Sequence, residues 1–216
     1  DPYGNKINVG DYPVILVSWY GAVSYCNWLS KKEGLEPAYN LDNWQLKDDP
    51  EKVEGYRLPT KNEWEYAARG GVDGKATKLA GSNNNEEVSW DSSSLSDEKP
   101  WWFHMLVYFN LNDYFINDNE DKGKVGMSNF DINANFQRGT MPVGIKKDNE
   151  VGLYDMSGNV WEWTNTKSEE NKSKVITRGG SWWDPPLYFD YKISNKESFK
   201  RTTTIPNLGF RVTRTK

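Results

Sequence analysis

Chemistry needs a nucleophile, a proton carrier or a metal, and this sequence is short of all three. Its 216 residues hold one cysteine, Cys26, and one histidine, His104. A lone histidine removes most metal-triad and Ser–His chemistries. A lone cysteine can form no internal disulfide, and Cys26 lies on an apolar helical stripe, where a thiol serves as core. Aromatic residues are plentiful instead: 11 Trp, 12 Tyr and 8 Phe in a chain that is only 36% hydrophobic. They crowd into TRGGSWWDPPLYFDYK, residues 177–192. Tyr and Trp give large contact area at low entropic cost, so such a stretch is built to bind.

Within it, Leu187, Phe189, Tyr191 and Ile193 alternate with Tyr188, Asp190 and Lys192. That is the pattern of a strand with one face inward and one outward. Trp182 directly follows RGGS and reads as core. Trp183, Asp184, Tyr188, Asp190 and Lys192 read as a partner-contacting face, an aromatic patch flanked by acids. Pro185 and Pro186 would hold it rigid and lower the entropic cost of binding. The run KRTTT, 200–204, adds Thr202, Thr203 and Thr204 as adaptable hydroxyls on an adjoining loop, unless it is a solvated linker.

These residues need a scaffold. VSWYGAVSYCNWLSKKEG, 17–34, predicts a helix with Ala22, Val23, Cys26 and Leu29 on one face and Gly34 as its stop. YRLPTKNEWEYAARGG, 56–71, predicts a second, opened by a capping box of Thr60 and Glu63 and buried through Trp64, Ala67 and Ala68. VWEWT, 160–164, alternates like a half-buried strand, and VITRGG and LGFRVTR read as further strands. Helices early and antiparallel strands late give an α+β fold. The length suits one domain, residues 1–216. Residues 91–137 differ in texture and read as an insertion that packs an aromatic anchor, WWFHMLVYF, onto the core.

Charge narrows the partners. With 27 basic against 31 acidic residues, a net of −4, the chain lacks the basic excess that nucleic acid or an anionic membrane would favour. No apolar run is long enough to span a bilayer. The chain opens at Asp1, so any export signal or lipid anchor would lie upstream.

Five blocks occur in order: YPVILVSWYGAVSYCNWLSKKEGLEPAY, YRLPTKNEWEYAARGG, PVGIKKDNEVGLYDMSGNVWEWT, TRGGSW and NLGFR. Together they resemble the formylglycine-generating-enzyme, or sulfatase-modifying-factor, family, a variant of the C-type-lectin-like fold. The resemblance implies two helices, antiparallel sheets and much irregular structure. Oxidase members carry a cysteine pair in the pattern RGGSxxCxxxxC, which binds copper and takes up oxygen. Those positions are Asp184 and Phe189 here, and neither replacement can do that chemistry. The iron-dependent sulfoxide synthases of the family borrow histidines from a helical domain, which one histidine does not match. The scaffold without its reaction is used by the variable proteins of diversity-generating retroelements, whose C-terminal segment forms the ligand face. That segment is 183–208 here, and Phe189 joins the candidate ligand site because it takes a cavity position in the enzyme pattern.

The resemblance therefore implies a non-catalytic receptor or adhesin at the cell surface, binding a protein or a glycan, with no required cofactor. Calcium is allowed, because the family's SGNVWEW loop often helps hold it, giving roles to Asn159 and Glu162. NDNEDKG fails as an EF-hand loop, with Lys122 at the glycine position and Ser128 at the bidentate glutamate. Two other readings stay open. One is an enzyme with altered chemistry, using Asp184 as acid, base or metal ligand beside a partner. The other is a structural subunit of a surface complex, for which the insertion would be an assembly contact.

Overall fold

The computed structural model describes residues 9–91, 139–184 and 191–215. His104, the insertion beyond Asp91, and Tyr188, Phe189 and Asp190 lie outside the described residues.

The first helix, α1 (Trp19–Lys32), starts where Ser18 accepts a hydrogen bond from the Gly21 amide. It stops before Gly34, whose φ of 72° suits glycine. Ala22, Val23 and Cys26 are fully buried. Burial pushes the Cys26 thiol up to about 12, so it stays protonated and inert. Two polar residues share that face. Asn27 pairs with both backbone groups of Tyr39, and Ser30 receives the Tyr56 amide. Asn27 thereby ties the ribbon of β1 (Tyr39–Asn40) and β2 (Gln45–Leu46) to the helix, and Ser30 ties in the chain before Arg57.

The second helix, α2 (Lys61–Ala68), carries the capping box of Thr60 and Glu63. Trp64 and Ala68 are buried, and Ala67 is partly so. A one-turn helix, α3 (Asn85–Val88), capped by Asn84, is too short to leave a periodic signal. It leads into β3 (Ser89–Trp90), which pairs in parallel with β4 (Ser157–Gly158).

The main sheet has the order β7–β6–β5–β8. Its strands are β5 (Trp161–Lys167), β6 (Lys174–Arg178), β7 (Lys196–Lys200) and β8 (Leu208–Gly209). Strands β5, β6 and β7 run antiparallel, while β8 lies parallel to β5. The largest core cluster joins Trp161 and Trp163 to Trp19, Val23, Cys26, Leu58 and Leu208.

Three sequence expectations need correction. Strand β5 is not half-buried: Trp161, Glu162, Trp163 and Thr164 are all buried, because both faces are covered. The strand expected over 187–193 is absent from its described end. Tyr191 has φ 42°, and the next strand starts only at Lys196. Tyr191 and Ile193 do turn inward, at 3% and 2% exposure. Finally, LGFRVTR pairs with β5 over two residues only, and Thr213 then bridges to Arg57. The sequence pattern missed β7 altogether, since KESFK is a charged edge strand.

Three arginines from the motif blocks lock these elements together. Arg57 forks onto Glu63 at 2.6 and 2.8 Å. Arg178 reaches Glu65 at 2.7 Å, joining β6 to α2. Arg211 grips Glu162 through Nε at 2.6 Å and Nη2 at 2.7 Å. Glu162 also receives the Trp64 indole N–H at 2.6 Å. Removing one partner of a buried pair leaves the other charge uncompensated, at a cost of about 3 kcal/mol. Glu162→Gln should lower urea-unfolding stability by that order. The double variant Glu162→Gln/Arg211→Met should lose less than the two single losses combined. Strict additivity would show that the pair is not coupled.

Candidate functional site

The site grows out of the end of β6. Gly179 and Gly180 follow Arg178 with φ of 101° and 75°, and a Cβ on Gly180 would lie 2.9 Å from the Tyr191 ring. Only glycine lets that ring close over the turn. Ser181 comes next, then Trp182, whose amide donates to the Asn159 carbonyl. The chain then reaches Asp184.

Asp184 is 4% exposed. The sequence placed it on the contact face, and the structure places it beneath that face. One carboxylate oxygen accepts from the Ser181 amide at 2.8 Å and the Ser181 hydroxyl at 2.9 Å. The Trp161 side chain adds a hydrogen bond from β5. Asn207 Nδ2 donates to Ser181 Oγ at 3.0 Å, and the Tyr191 hydroxyl donates to the Asp184 carbonyl. Motifs RGGSW, VWEWT and NLGFR thus meet at one carboxyl group. Their roles were invisible in sequence because each motif supplies one residue to a shared point.

The other expected site residues are scattered. Trp182 and Trp183 are both half-buried, their rings 4.8 Å apart, so Trp182 is less a core residue than its position suggested. Lys192 is half-buried on the returning chain. Thr202 and Thr204 are exposed and Thr203 half-buried, but their loop starts at the wrong end of the sheet. Lys200 pairs with Lys174, whereas the site lies at the Arg178–Lys196 end. Four strand residues, about 13 Å, separate those ends. The loop returns to the site only at Asn207, a residue the sequence reading passed over.

Glu162 and Asn159, the calcium candidates, lie on another side of β5. Asn159 exchanges two hydrogen bonds with the Met141 backbone, so it has no spare side-chain atom. Glu162 is shared by Arg211 and Trp64. Beside them is Asp155, missed in sequence, at 8% exposure. Its Oδ2 accepts from the Gly144 amide at 2.8 Å, and its buried Oδ1 has no partner. Burial and the like charge of Glu162 hold its carboxyl above the usual range, against the pull of that amide and Arg211. The unpaired, buried Asp155 Oδ1 can take a hard cation, while both Glu162 oxygens are already engaged. Among the described residues, no group of three or more His, Cys, Asp or Glu assembles there or elsewhere. These residues line a cavity of about 370 Å³ with Pro13, Val143, Tyr154 and Phe210.

With this geometry, the fold and the motif blocks define a formylglycine-generating-enzyme-like protein. The sulfatase-modifying factor enzyme 1-like domain model matches residues 3–216, and the chain belongs to that family. It is 35% identical to chaperone protein LppX of Paenibacillus barcinonensis over 94% of this chain and 70% of that protein. It is 28% identical to the formylglycine-generating enzyme of Mus musculus, covering 97% of this chain and 46% of the enzyme. The inactive Cα-formylglycine-generating enzyme 2 of Bos taurus is 27% identical, over 93% of this chain and 50% of that protein. The chain therefore spans about half the length of these two animal relatives. Among solved structures, CarF superposes with TM-score 0.67 and 27% identity over 97% of this chain and 70% of that one. Treponema denticola variable protein 1 gives 0.62 and 24% over 97% and 75%.

Asp184 makes a pH prediction. Burial raises its carboxyl from 3.8 to about 7, against the pull of the bonds from Ser181 and Trp161, while Glu197 adds to the rise. The folded value exceeds the unfolded one, so the neutral form stabilises the fold. That contribution is complete below about pH 4 and is lost as pH rises through 7. Between pH 5 and pH 8 the wild type should lose on the order of 2 kcal/mol, about 5 °C in Tm, relative to Asp184→Asn. Parallel Tm profiles for the two proteins would show that Asp184 does not titrate in this range.

Proposed function

We propose that this chain is a non-catalytic, ligand-binding member of its family, displayed outside the cell as a receptor or adhesin. In this reading it holds a protein or glycan through segment 183–208, around the Trp182–Trp183 pair, and a retroelement diversifies that segment. The reading is supported chiefly by Asp184, which takes the position that the family resemblance gives to a catalytic cysteine of the oxidase members and which is buried and bonded to Ser181. A carboxylate there cannot form a thiolate–copper centre. The family includes a relative named inactive, a relative named a chaperone and, by fold, a protein named variable. A chaperone's named task is likewise to engage another protein rather than to transform a small substrate.

The gene's locus tests this before any biochemistry. A near-copy of the segment encoding 183–208, differing chiefly at adenines, supports diversification. Its absence sinks the retroelement part and leaves a fixed binding site. Screening against arrays of proteins and glycans then tests binding itself. Trp183→Ala should weaken any authentic ligand at least about tenfold, as loss of an aromatic anchor does.

The altered-enzyme reading has its own support, since Asp184 has both a hydroxyl partner and a raised carboxyl. A separate cavity opens at Asp155 and Arg211. A covalent adduct on Ser181 with an acyl or phosphonyl probe would favour that reading over a receptor.

Calcium, where bound, would be held by Asp155 through its unpaired Oδ1, and would neutralise charge and brace the turn before β5. Added calcium should then raise the wild-type Tm by a few degrees and leave Asp155→Asn unmoved. An equal response in both proteins would place the ion elsewhere.

A further inference from the structure

The cavity beside Tyr154 joins a charged, buried end to an apolar, open one. Asp155 and Glu162 lie at the buried end with Arg211, at 8% and 5% exposure for the two acids. Val143 and Tyr154, at 52% and 41%, form the rim, and Pro13, Leu153 and Phe210 line the walls. The two carboxylates are unequal. One Glu162 oxygen accepts from the Trp64 indole and Arg211 Nε, the other from Arg211 Nη2. Arg211 is spent on that pair and on the carbonyls of Tyr154 and Asp155. Asp155 is half engaged: Oδ2 accepts the Gly144 amide, while Oδ1 is buried without a partner. Lys146 also pulls on Asp155, but its ammonium donates to the Glu86 carbonyl at 2.6 Å and lies 4.1 Å from the Trp90 ring centre. One negative charge in the cavity is left without a donor of its own.

We infer that this cavity binds an organic ammonium group on an apolar stem, with Asp155 Oδ1 as the acceptor and Tyr154 and Phe210 beside the stem. Its volume of about 370 Å³ falls within the range of small-molecule sites, about 300–1,000 Å³. An ammonium brings both N–H donors and positive charge to an oxygen that lacks both. A bare divalent ion wants about six or more oxygen ligands, whereas these walls offer mostly carbon, and aromatic rings there favour an organic cation. Calcium and an ammonium would compete for the same oxygen. Outside the cavity, Phe210 meets Tyr25 edge-on at 5.5 Å, and Tyr25 lies 5.4 Å from Trp28. Tyr25 and Trp28 are exposed, so an aromatic path along α1 can carry whatever follows the stem. None of the described lining residues belongs to segment 183–208. The inference therefore stands apart from the receptor reading.

Methyl NMR of the whole chain, titrated with n-butylammonium at neutral pH, tests it. The Val143 and Leu153 signals should shift and saturate. Butanol, the same stem without the charge, should bind at least about tenfold more weakly, the order of one charge-assisted hydrogen bond. Asp155→Asn should weaken n-butylammonium by the same factor. Val143→Trp narrows the rim, leaves the acceptor in place and should weaken binding as much with an unchanged Tm, so a folding defect in Asp155→Asn does not decide the matter. Equal binding of the alcohol and the amine, or unchanged affinity in both variants, overturns the inference. Shifts with calcium chloride and none with n-butylammonium overturn it as well, because the oxygen would then serve a metal alone. A capped Ala-Lys-Ala peptide separates the two sources of this chemistry. Tighter binding than n-butylammonium marks the lysine side chain of a partner protein, and weaker binding marks a free amine.

Discussion

A carboxylate in the middle of a doubly covered strand is the constraint on which the rest of this structure depends. Glu162 lies on β5 with both faces of the strand buried, where an unpaired charge would cost several kcal/mol. Its three close donors come from separate parts of the chain: the Trp64 indole from α2, and the Arg211 Nε and Nη2 from the segment after β8. Satisfying that one group therefore docks a helix and the C-terminal chain against the strand. Arg211 also reaches the Tyr154 carbonyl, at 3.1 Å, drawing in the turn before β4. Burial alone would lower its guanidinium, but the charge of Glu162 holds it above the ordinary value. The pairing is strong because it is desolvated, and costly to break for the same reason.

Two further arginine–glutamate pairs, Arg57–Glu63 and Arg178–Glu65, extend this logic to the edges. Arg57 is 2% exposed at its side chain, and Glu63, which it grips, also caps α2. One carboxylate thus serves both the helix start and the Arg57 side chain, whose backbone bridges to Thr213. Arg178 faces Glu65 with one nitrogen and three consecutive backbone carbonyls with another. That spread of donors, possible for a guanidinium and not for an ammonium, holds an irregular return that has no sheet partner. Irregular structure at the site end of the sheet is fixed by side-chain geometry where backbone ladders are missing.

This explains what the sequence disclosed and what it concealed. Helices α1 and α2 were legible because capping residues and apolar spacing act locally, as with Thr60–Glu63 and Ala22–Val23–Cys26. Strand β5 was legible as a strand, but its burial was not, since alternation around Glu162 looks the same whether the second face meets water or Arg211. Tyr191 and Ile193 kept their inward placement, yet Tyr191 has a left-handed backbone instead of strand geometry, beside the Gly180 turn and the Arg178 fork. Asp184 was expected on the contact face, and the structure buries it. An acid beside Trp183 reads as surface, and only the convergence of Ser181, Trp161 and Asn207 makes a buried site for it. Thr202–Thr204 failed for a different reason: nearness in sequence to the site says nothing about which end of β7 the loop leaves from.

The site then follows from a division of labour within the last forty residues. The elements that fix the fold, Arg178, Ser181, Asn207 and Arg211, form bonds that tolerate little change, and none of them needs to touch a partner. Trp182, Trp183 and Lys192 lie between those anchors with part of their surface in water. A scaffold arranged this way can exchange its half-exposed residues without disturbing the buried charges that hold it together. The position of Asp184 sits on the boundary between the two sets. It belongs to the buried network by its bonds and to the proposed binding segment by its place in the chain.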